Sequence, residues 1–370
     1  MKLGLDVSAV PARPAGAGRY IVELAQRLPA TGNELTLVTR RGDGDRWRTD
    51  PSALVKNIVP SPRALRLLYE AYVLGRTTTA RKVDFWHSPH YSMPHRRVGP
   101  VVVTVHDMTF FTNPQWHERS KVLFFTRAIR YAAREADVLI AVSDFTAQLL
   151  AEICPTSRPV IVAPHGVDLT RFTPHSDGTP AGTEQPALDV PYILFVGTWE
   201  PRKGVDLLLA AFADVAAADD EIELWLGGQA GWGVSELDEL VARHRFGSRI
   251  RRLGYIDDQQ LPELLRRARV VAYPSRGEGF GLPVLEAMAC GTPVVTSAAT
   301  VMEEVAGGAA TLVPVGDVEL LAQALSTVAH WSNEERRAAG AVSRARAEQF
   351  TWTRSLDQHL RAYDIARASA

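Results

Sequence analysis

Short apolar runs of strand type alternate with helix-length amphipathic stretches along almost the whole chain. In the first half the runs 2–7, 34–39, 84–87, 101–106, 138–142 and 160–163 predict strands, and 20–28, 64–78, 119–134 and 145–153 predict helices. The alternation restarts with strands at 192–197, 221–226, 250–253, 270–273, 293–296 and 310–313, and helices at 205–216, 235–243, 261–267, 283–289 and 320–329. Strand and helix in turn is the pattern of a parallel sheet covered by helices. Between the two series, 173–190 gathers Pro174, Ser176, Gly178, Pro180, Gly182 and Pro186 without apolar periodicity, which predicts a linker. The expected fold is α/β, with two Rossmann-like doubly wound domains, 1–172 and 191–350, facing a cleft. The helices 333–349 and 353–368 precede no further strand, so the terminal stretch 351–370 is expected to cross back and brace the first domain.

Composition narrows this picture. The chain has 370 residues, 46% hydrophobic and 22% charged, enough for two cores and too apolar for disorder. A formal charge of −1 gives no general attraction to nucleic acid, so any anionic partner must be bound locally. Cys154 and Cys290 lie far apart at the ends of apolar helical stretches, which speaks against a disulfide framework and for a reducing, cytoplasmic compartment. The early apolar run is broken by Asp6 and followed by Pro11, too short and polar for a signal peptide. No run approaches the ~18 apolar residues of a membrane span.

The most informative chemistry lies in Ser275-Arg276-Gly277-Glu278-Gly279-Phe280-Gly281-Leu282-Pro283-Val284-Leu285-Glu286, between two strand-type runs. Pro283 suits a first helical position and Gly291 a left-handed stop, so a short helix opens on a glycine-rich turn. The N–H groups of such a helix start, with those of Gly279, Phe280 and Gly281, suit phosphate oxygens, with Leu282 beside them. A carboxylate beside phosphate repels it. Glu278 is therefore read as an acceptor for sugar hydroxyls and Glu286 as a grip on a ribose diol. Upstream, Arg202 and Lys203 follow the strand 192–197, where open α/β sheets bind ligands, and their charges suit a diphosphate.

These segments resemble those of family 4 retaining glycosyltransferases with the GT-B fold, whose E-x7-E motif places its first glutamate on the donor sugar and its second on the ribose. Glu278 and Glu286 match that spacing, and Arg202-Lys203-Gly204 matches the loop whose lysine binds the donor diphosphate. Many members place an arginine directly after the strand's glycine; this chain has Thr198, one charge fewer. Gly16-Ala17-Gly18-Arg19-Tyr20 resembles the family's loop over the donor phosphates. The same letters could start a dinucleotide fingerprint, the alternative of an NADP-dependent oxidoreductase, with Arg40-Arg41 for a 2′-phosphate. Against this, Ser8 to Ala15, with Pro11 and Pro14, separates the glycines from the strand end. His106-Asp107-Met108-Thr109-Phe110 resembles the signature of a subgroup rich in mannosyl- and rhamnosyltransferases, with His106 set to bond a sugar hydroxyl. His87 and His90 read as turn histidines, and His165-Gly166-Val167-Asp168 matches a hinge segment of the family.

The resemblance implies retaining transfer of a hexose, mannose first, from a nucleoside diphosphate sugar to a hydroxyl of a glycan or lipid-linked acceptor. The first domain would bind acceptor and the second the donor. His106, Lys203 and Glu278 are the catalytic candidates. Gly16, Gly18, Arg202, Gly279, Phe280, Gly281, Leu282 and Glu286 are the candidates for substrate binding. A non-catalytic nucleotide-sugar binding protein is the other alternative. Neither a cofactor nor a metal is expected, since Asp43-Gly44-Asp45, the chain's D-x-D, sits in a turn among Arg40, Arg41 and Arg46. The basic amphipathic stretch 64–78, with Arg66 and Arg76 and flanked by Arg63, Arg81 and Lys82, suits peripheral contact with the inner face of the plasma membrane, and equally suits a plain surface helix.

Overall fold

A computed structural model describes residues 1–97, 99–174, 190–229, 231 and 234–369. The expected linker lies, from 175 to 189, outside the described residues. The chain forms two compact units: Met1–Gly166 with Trp352–Ala370, and Val167–Thr351.

The first unit is built on an all-parallel sheet of β1 (Lys2–Asp6), β2 (Glu34–Arg40), β3 (Leu54–Val59), β4 (Phe85–Ser88), β5 (Val101–Val105), β6 (Val138–Ala141) and β7 (Val160–Val162), in the order β3-β2-β1-β4-β5-β6-β7. Its helices are α1 (Ala17–Arg27), α2 (Arg63–Tyr72), α3 (Thr109–Thr112), α4 (Arg119–Glu135) and α5 (Asp144–Ile153). In the second unit β8 (Tyr192–Val196), β9 (Glu223–Gly227), β10 (Ile250–Gly254), β11 (Val270–Tyr273), β12 (Val294–Ser297) and β13 (Thr311–Val313) run parallel in the order β10-β9-β8-β11-β12-β13. They alternate with α6 (Val205–Ala218), α7 (Val234–Arg243), α8 (Leu261–Arg267), α9 (Leu282–Ala289) and α10 (Val301–Ala306), and α11 (Val318–Ala329) and α12 (Asn333–Ala347) follow. The last helix, α13 (Trp352–Ala368), belongs to the first unit.

Central strands such as β5, Val-Val-Val-Thr-Val, are buried throughout because helices cover both faces. One face of the first sheet sets Leu3, Leu5 and Phe85 against Tyr20, Ile21 and Leu24 of α1 and Trp352, Ala362 and Tyr363 of α13. The other sets Val103, Val105 and Leu139 against Ile129 and Ala132 of α4 and Leu150 of α5. In the second unit the guanidinium of Arg344, on α12, bonds the carbonyls of Phe172 and Ala289 at 2.6 and 2.9 Å, tying α12 to α9 and the unit's first residues.

Four elements differ from the expectation, among them α3, whose 4 residues are too few to show a helical period. β3 has no apolar run to announce it, since as the edge strand it stays largely half-exposed. α10 is a helix of 6 residues, started by Thr300, whose hydroxyl accepts from the N–H of Met302. The helix expected over 64–78 stops at Tyr72 and tightens into a 3-10 turn, Leu74–Arg76. There Leu74 is fully buried, and Gly75 lies so close to the Arg96 carbonyl that a Cβ would stand 1.8 Å from it.

Candidate active site

The second unit concentrates its charge at the carboxyl ends of β8 and β11. After β8 the chain makes a short 3-10 turn, Pro201–Lys203, that ends on left-handed Gly204, φ 69°. A Cβ on Gly204 would stand 2.1 Å from the Pro274 carbonyl, so only glycine lets this turn lie against the loop after β11. The two loops are bonded backbone to backbone, with the Arg276 N–H on the Arg202 carbonyl at 2.7 Å. The guanidinium of Arg276 forks onto both carboxylate oxygens of Asp206 at 2.7 and 2.6 Å.

This brace brings Arg202, Lys203 and Glu278 together. Arg202 donates to Glu278 Oε2 at 2.7 Å and to Glu200 at 3.0 Å. Lys203, 8% exposed, donates to Glu278 Oε1 and to the Tyr273 hydroxyl, the latter at 2.7 Å. Tyr273 and Ser275 donate to the same Oε1 at 3.1 and 2.9 Å. Burial pushes the Glu278 carboxyl up, but Arg202 and Lys203 outweigh it and hold Glu278 at about 2. Burial and the Arg202 charge push Lys203 down, opposed by Glu278. The result is a buried knot of two cations on the Glu278 carboxylate, with Glu200 as the second carboxylate that Arg202 meets. Sequence reasoning assigned Glu278 to the sugar and the two cations to the diphosphate; the fold ties all three to one another. Tyr273 and Ser275 were missed, although Tyr273 ends a strand, where ligand groups gather in such sheets.

Gly279, Phe280 and Gly281 continue directly into α9, whose N-cap Gly281 is left-handed, φ 111°. A Cβ there would stand 2.4 Å from the Met302 methyl, so the helix start is packed as well as turned. The positive end of the helix therefore follows at once on Glu278. Leu282 is the first helical residue, and Glu286, one turn on, is buried in the helix.

The remaining candidates belong to the first unit. Gly16 is the N-cap of α1 at φ 48°, and a Cβ on Gly18 would press to 3.1 Å on Pro14. β1 ends at Asp6 while α1 opens only at Ala17, so these glycines are not at the strand end that a dinucleotide fingerprint requires. His106 follows β5 and is buried, its Nε2 2.8 Å from the Pro89 carbonyl. A carbonyl only accepts, so Nε2 carries the hydrogen and Nδ1 a lone pair. The ring meets Tyr20 edge-on at 5.1 Å and lies 5.9 Å from His165 and 6.0 Å from His90. Burial pushes His106 down, and does the same to His87, His90, His165 and His359. His87 is thus part of a packed network, bonding Tyr363 and Thr104 at 2.9 and 2.8 Å, rather than a turn histidine. Asp43 is held by Arg40 and Arg46 at 3.3 and 3.1 Å, and Asp45 by Arg48 at 2.8 Å, so the D-x-D is an ion-paired turn.

Comparison with known proteins agrees with this architecture. Residues 190–330 match the family described as glycosyl transferases group 1, and residues 14–171 match glycosyltransferase family 4. The chain is 33% identical to the O-antigen chain mannosyltransferase B of Escherichia coli, over 95% of this chain and 96% of that protein. It is also 33% identical to a D-inositol 3-phosphate glycosyltransferase of Saccharomonospora viridis, over 96% and 90%. Among solved structures, a sucrose-phosphate synthase from Thermosynechococcus elongatus superposes with a TM-score of 0.77 at 22% identity, each chain wholly covered. Anabaena HepE in complex with UDP-glucose gives 0.74 at 19%, covering 98% of both chains. With both halves matched and full-length relatives at this identity, the chain belongs to the family 4 glycosyltransferases of GT-B fold.

Proposed function

We propose that the protein moves a hexosyl group, mannose first, from a nucleoside diphosphate sugar to a hydroxyl of a glycan or lipid-linked saccharide, with retention at the anomeric carbon. One observation carries the reading: Arg202 and Lys203 converge on Glu278 immediately before the positive end of α9. A diphosphate competes with Glu278 for both cations, and the carboxylate it releases turns to the hydroxyls of the transferred sugar. Glu286 holds the ribose. As the anomeric carbon–oxygen bond to the β-phosphate breaks, charge grows on the leaving oxygen, and Lys203 stabilises it more than in the ground state. The acceptor oxygen bonds the same face, and its proton passes to the departing phosphate. His106, neutral and with its Nδ1 lone pair, is kept for a sugar hydroxyl. The 33% identity with an O-antigen chain mannosyltransferase supports mannose and GDP-mannose as first choices.

Positive charge already stands where a divalent metal would act, so transfer proceeds without one. Calorimetry with GDP, UDP and dTDP, followed by transfer from the matching sugar donor in excess EDTA, tests the whole reading. Binding of one nucleoside diphosphate and release of nucleotide from its sugar are expected. Binding without turnover would leave a binding protein, and activity restored only by Mn2+ would sink the metal-free mechanism.

Membrane contact is favoured by the outer side of α2. Leu65, Leu68 and Tyr72 are exposed there at 53%, 56% and 53%, with Arg63 on the same helix and exposed Arg76, Arg81 and Lys82 following it. Apolar groups ringed by basic ones suit an anionic leaflet. Among the described residues no helix is long and apolar enough to cross a membrane.

A further inference from the structure

The inner side of α2 covers a sheet face that is not wholly apolar. β1 and β4 are neighbours, with Gly4 opposite Trp86 and Leu5 opposite His87, so one step further Asp6 stands beside Ser88 on the face of the Trp86 indole. That indole lies across Gly4 so closely that a Cβ there would stand 2.2 Å from the ring. Glu70 belongs to α2, where its Oε1 accepts from the Ser92 hydroxyl at 2.7 Å and its Oε2 lies 3.7 Å from Arg66. Asp6 and Glu70 are each only 5% exposed. Asp6 and Ser88 end their strands, at the edge where open α/β sheets hold ligands.

Asp6 and Glu70 are both buried, and the Asp6 charge disfavours that of Glu70, so the pair tends to keep a proton. Burial, and then the Asp6 charge, push Glu70 up to about 7, and burial pushes Asp6 up in turn. On the same sheet face the Ser88 hydroxyl, in a residue 1% exposed, and the Trp86 indole N–H, in a residue 5% exposed, have no hydrogen-bond partner among the described residues. His90, two residues on from Ser88, has a buried Nδ1 in the same condition. Buried polar groups are almost always paired, because an unpaired one loses its bonds to water with nothing in return. The unpaired Ser88 hydroxyl, at the strand end beside Asp6, marks a site that a ligand completes.

The chemistry of that ligand follows from the groups. An anion would meet two carboxyls. A metal cation would meet Arg66, and among the described residues no group of three or more His, Cys, Asp or Glu side chains is arranged to hold one. A ring bearing neighbouring hydroxyls, each both donor and acceptor, matches a set that mixes donors with acceptors. We propose that Asp6, Glu70, Ser88 and the Trp86 N–H form a polyol-binding subsite of the first unit, which takes a vicinal diol of the acceptor's sugar or cyclitol ring. The role as acceptor site rests on the transferase reading above; binding of the polyol itself does not.

The test is saturation-transfer NMR on the full chain without donor, using methyl α-D-mannopyranoside and myo-inositol as probes. Saturation of at least one probe is expected, with its Kd raised at least tenfold in Glu70→Gln and at least fivefold in Ser88→Ala. Affinity for the nucleoside diphosphate that the wild type binds should stay unchanged in both, and wild-type hydrogen-exchange protection of β5 reports that the first unit of each variant folds. Should Glu70→Gln lose that protection, Ser88→Ala decides alone. Absence of saturation of either probe by the wild type, or parent affinity for the probe in either variant, would overturn the proposal. Probe binding with no nucleotide released from any sugar donor would sink the transferase reading and leave this subsite standing.

Discussion

The two units bury ionisable groups in opposite ways. In the second unit charge is kept and balanced, with Glu278 ionised between Arg202 and Lys203 and Arg276 forked onto Asp206. In the first unit charge is suppressed: five histidines, His87, His90, His106, His165 and His359, are all pushed down by burial, while Asp6 and Glu70 are pushed up. A balanced knot is ready to exchange one anion for another, as a diphosphate requires. Neutral groups present hydrogen bonds without a field, which suits uncharged hydroxyls.

The contrast breaks most visibly in acid. A histidine whose folded pKa is depressed favours the folded state above its unfolded pKa, about 6.5, and costs stability as pH falls below it. His90 and His359 are lowered to about 3 and about 4. Asp6 and Glu70, raised, work the other way and favour the folded state as pH falls towards their unfolded values. Five histidines against one carboxyl pair leave a net loss of stability as pH falls below about 6.5. Glu278 is depressed, so its contribution is present above its unfolded value and is lost only as pH falls towards about 2. The first unit should therefore unfold in mild acid while the second stays folded. Hydrogen exchange resolved by peptide at pH 7, 6 and 5, corrected for intrinsic rates, checks this; simultaneous loss of protection in β5 and β11 would erase the distinction.

Next in size is Lys203→Ala. Removing one group that stabilises a developing negative charge costs about 10²–10³-fold in turnover. Steady-state transfer should show that loss in kcat together with weaker nucleoside diphosphate binding. Transfer at the parent rate would show that the knot is structural.

Much of this was legible in the sequence because the groups concerned lie close together along it. The turn from Ser275 to Glu286 carries its glycines, both glutamates and its helix start within a dozen residues, and Pro201 to Gly204 announces a loop with two cations. Strand and helix alternation likewise showed all but the half-exposed edge strand β3 and the short α3 and α10. What stayed hidden was pairing across sequence distance. Nothing local says that Glu278 closes on Lys203, that Glu70 on α2 accepts from the Ser92 hydroxyl, or that the ring nitrogen of His359 meets the Tyr20 hydroxyl at 2.7 Å. Parallel sheets are made by connections that return over many residues, so their strand ends collect groups that no window displays together.

Glu278→Gln sharpens the comparison from inside the knot. The amide keeps the shape and loses the charge, so Arg202 and Lys203 are left without their main counter-ion. Nucleoside diphosphate affinity should hold or rise a few-fold, because the diphosphate no longer displaces a carboxylate. Turnover with the full donor should fall by about tenfold or more, a charge-assisted contact to the sugar being lost. Calorimetry and single-turnover transfer separate the two. A loss of nucleotide affinity comparable with that of Lys203→Ala would show that Glu278 serves the phosphates after all.

The smallest expected effect falls on Glu286, a second buried carboxylate only one helical turn into α9. If it grips the ribose, Glu286→Ala should weaken the nucleoside diphosphate by about 1–3 kcal/mol, and Glu286→Gln by less, since an amide oxygen still accepts from a hydroxyl. Turnover at saturating donor should change little in either variant, because the ribose contact is the same in ground and transition states and such uniform binding appears in KM rather than kcat. A purely structural Glu286 would behave differently: α9 packs between buried neighbours, so the variant would lower the melting temperature and leave nucleotide affinity per folded molecule unchanged. Calorimetric titration beside thermal unfolding distinguishes the two, and a parent Kd for nucleoside diphosphate in Glu286→Ala removes the ribose assignment.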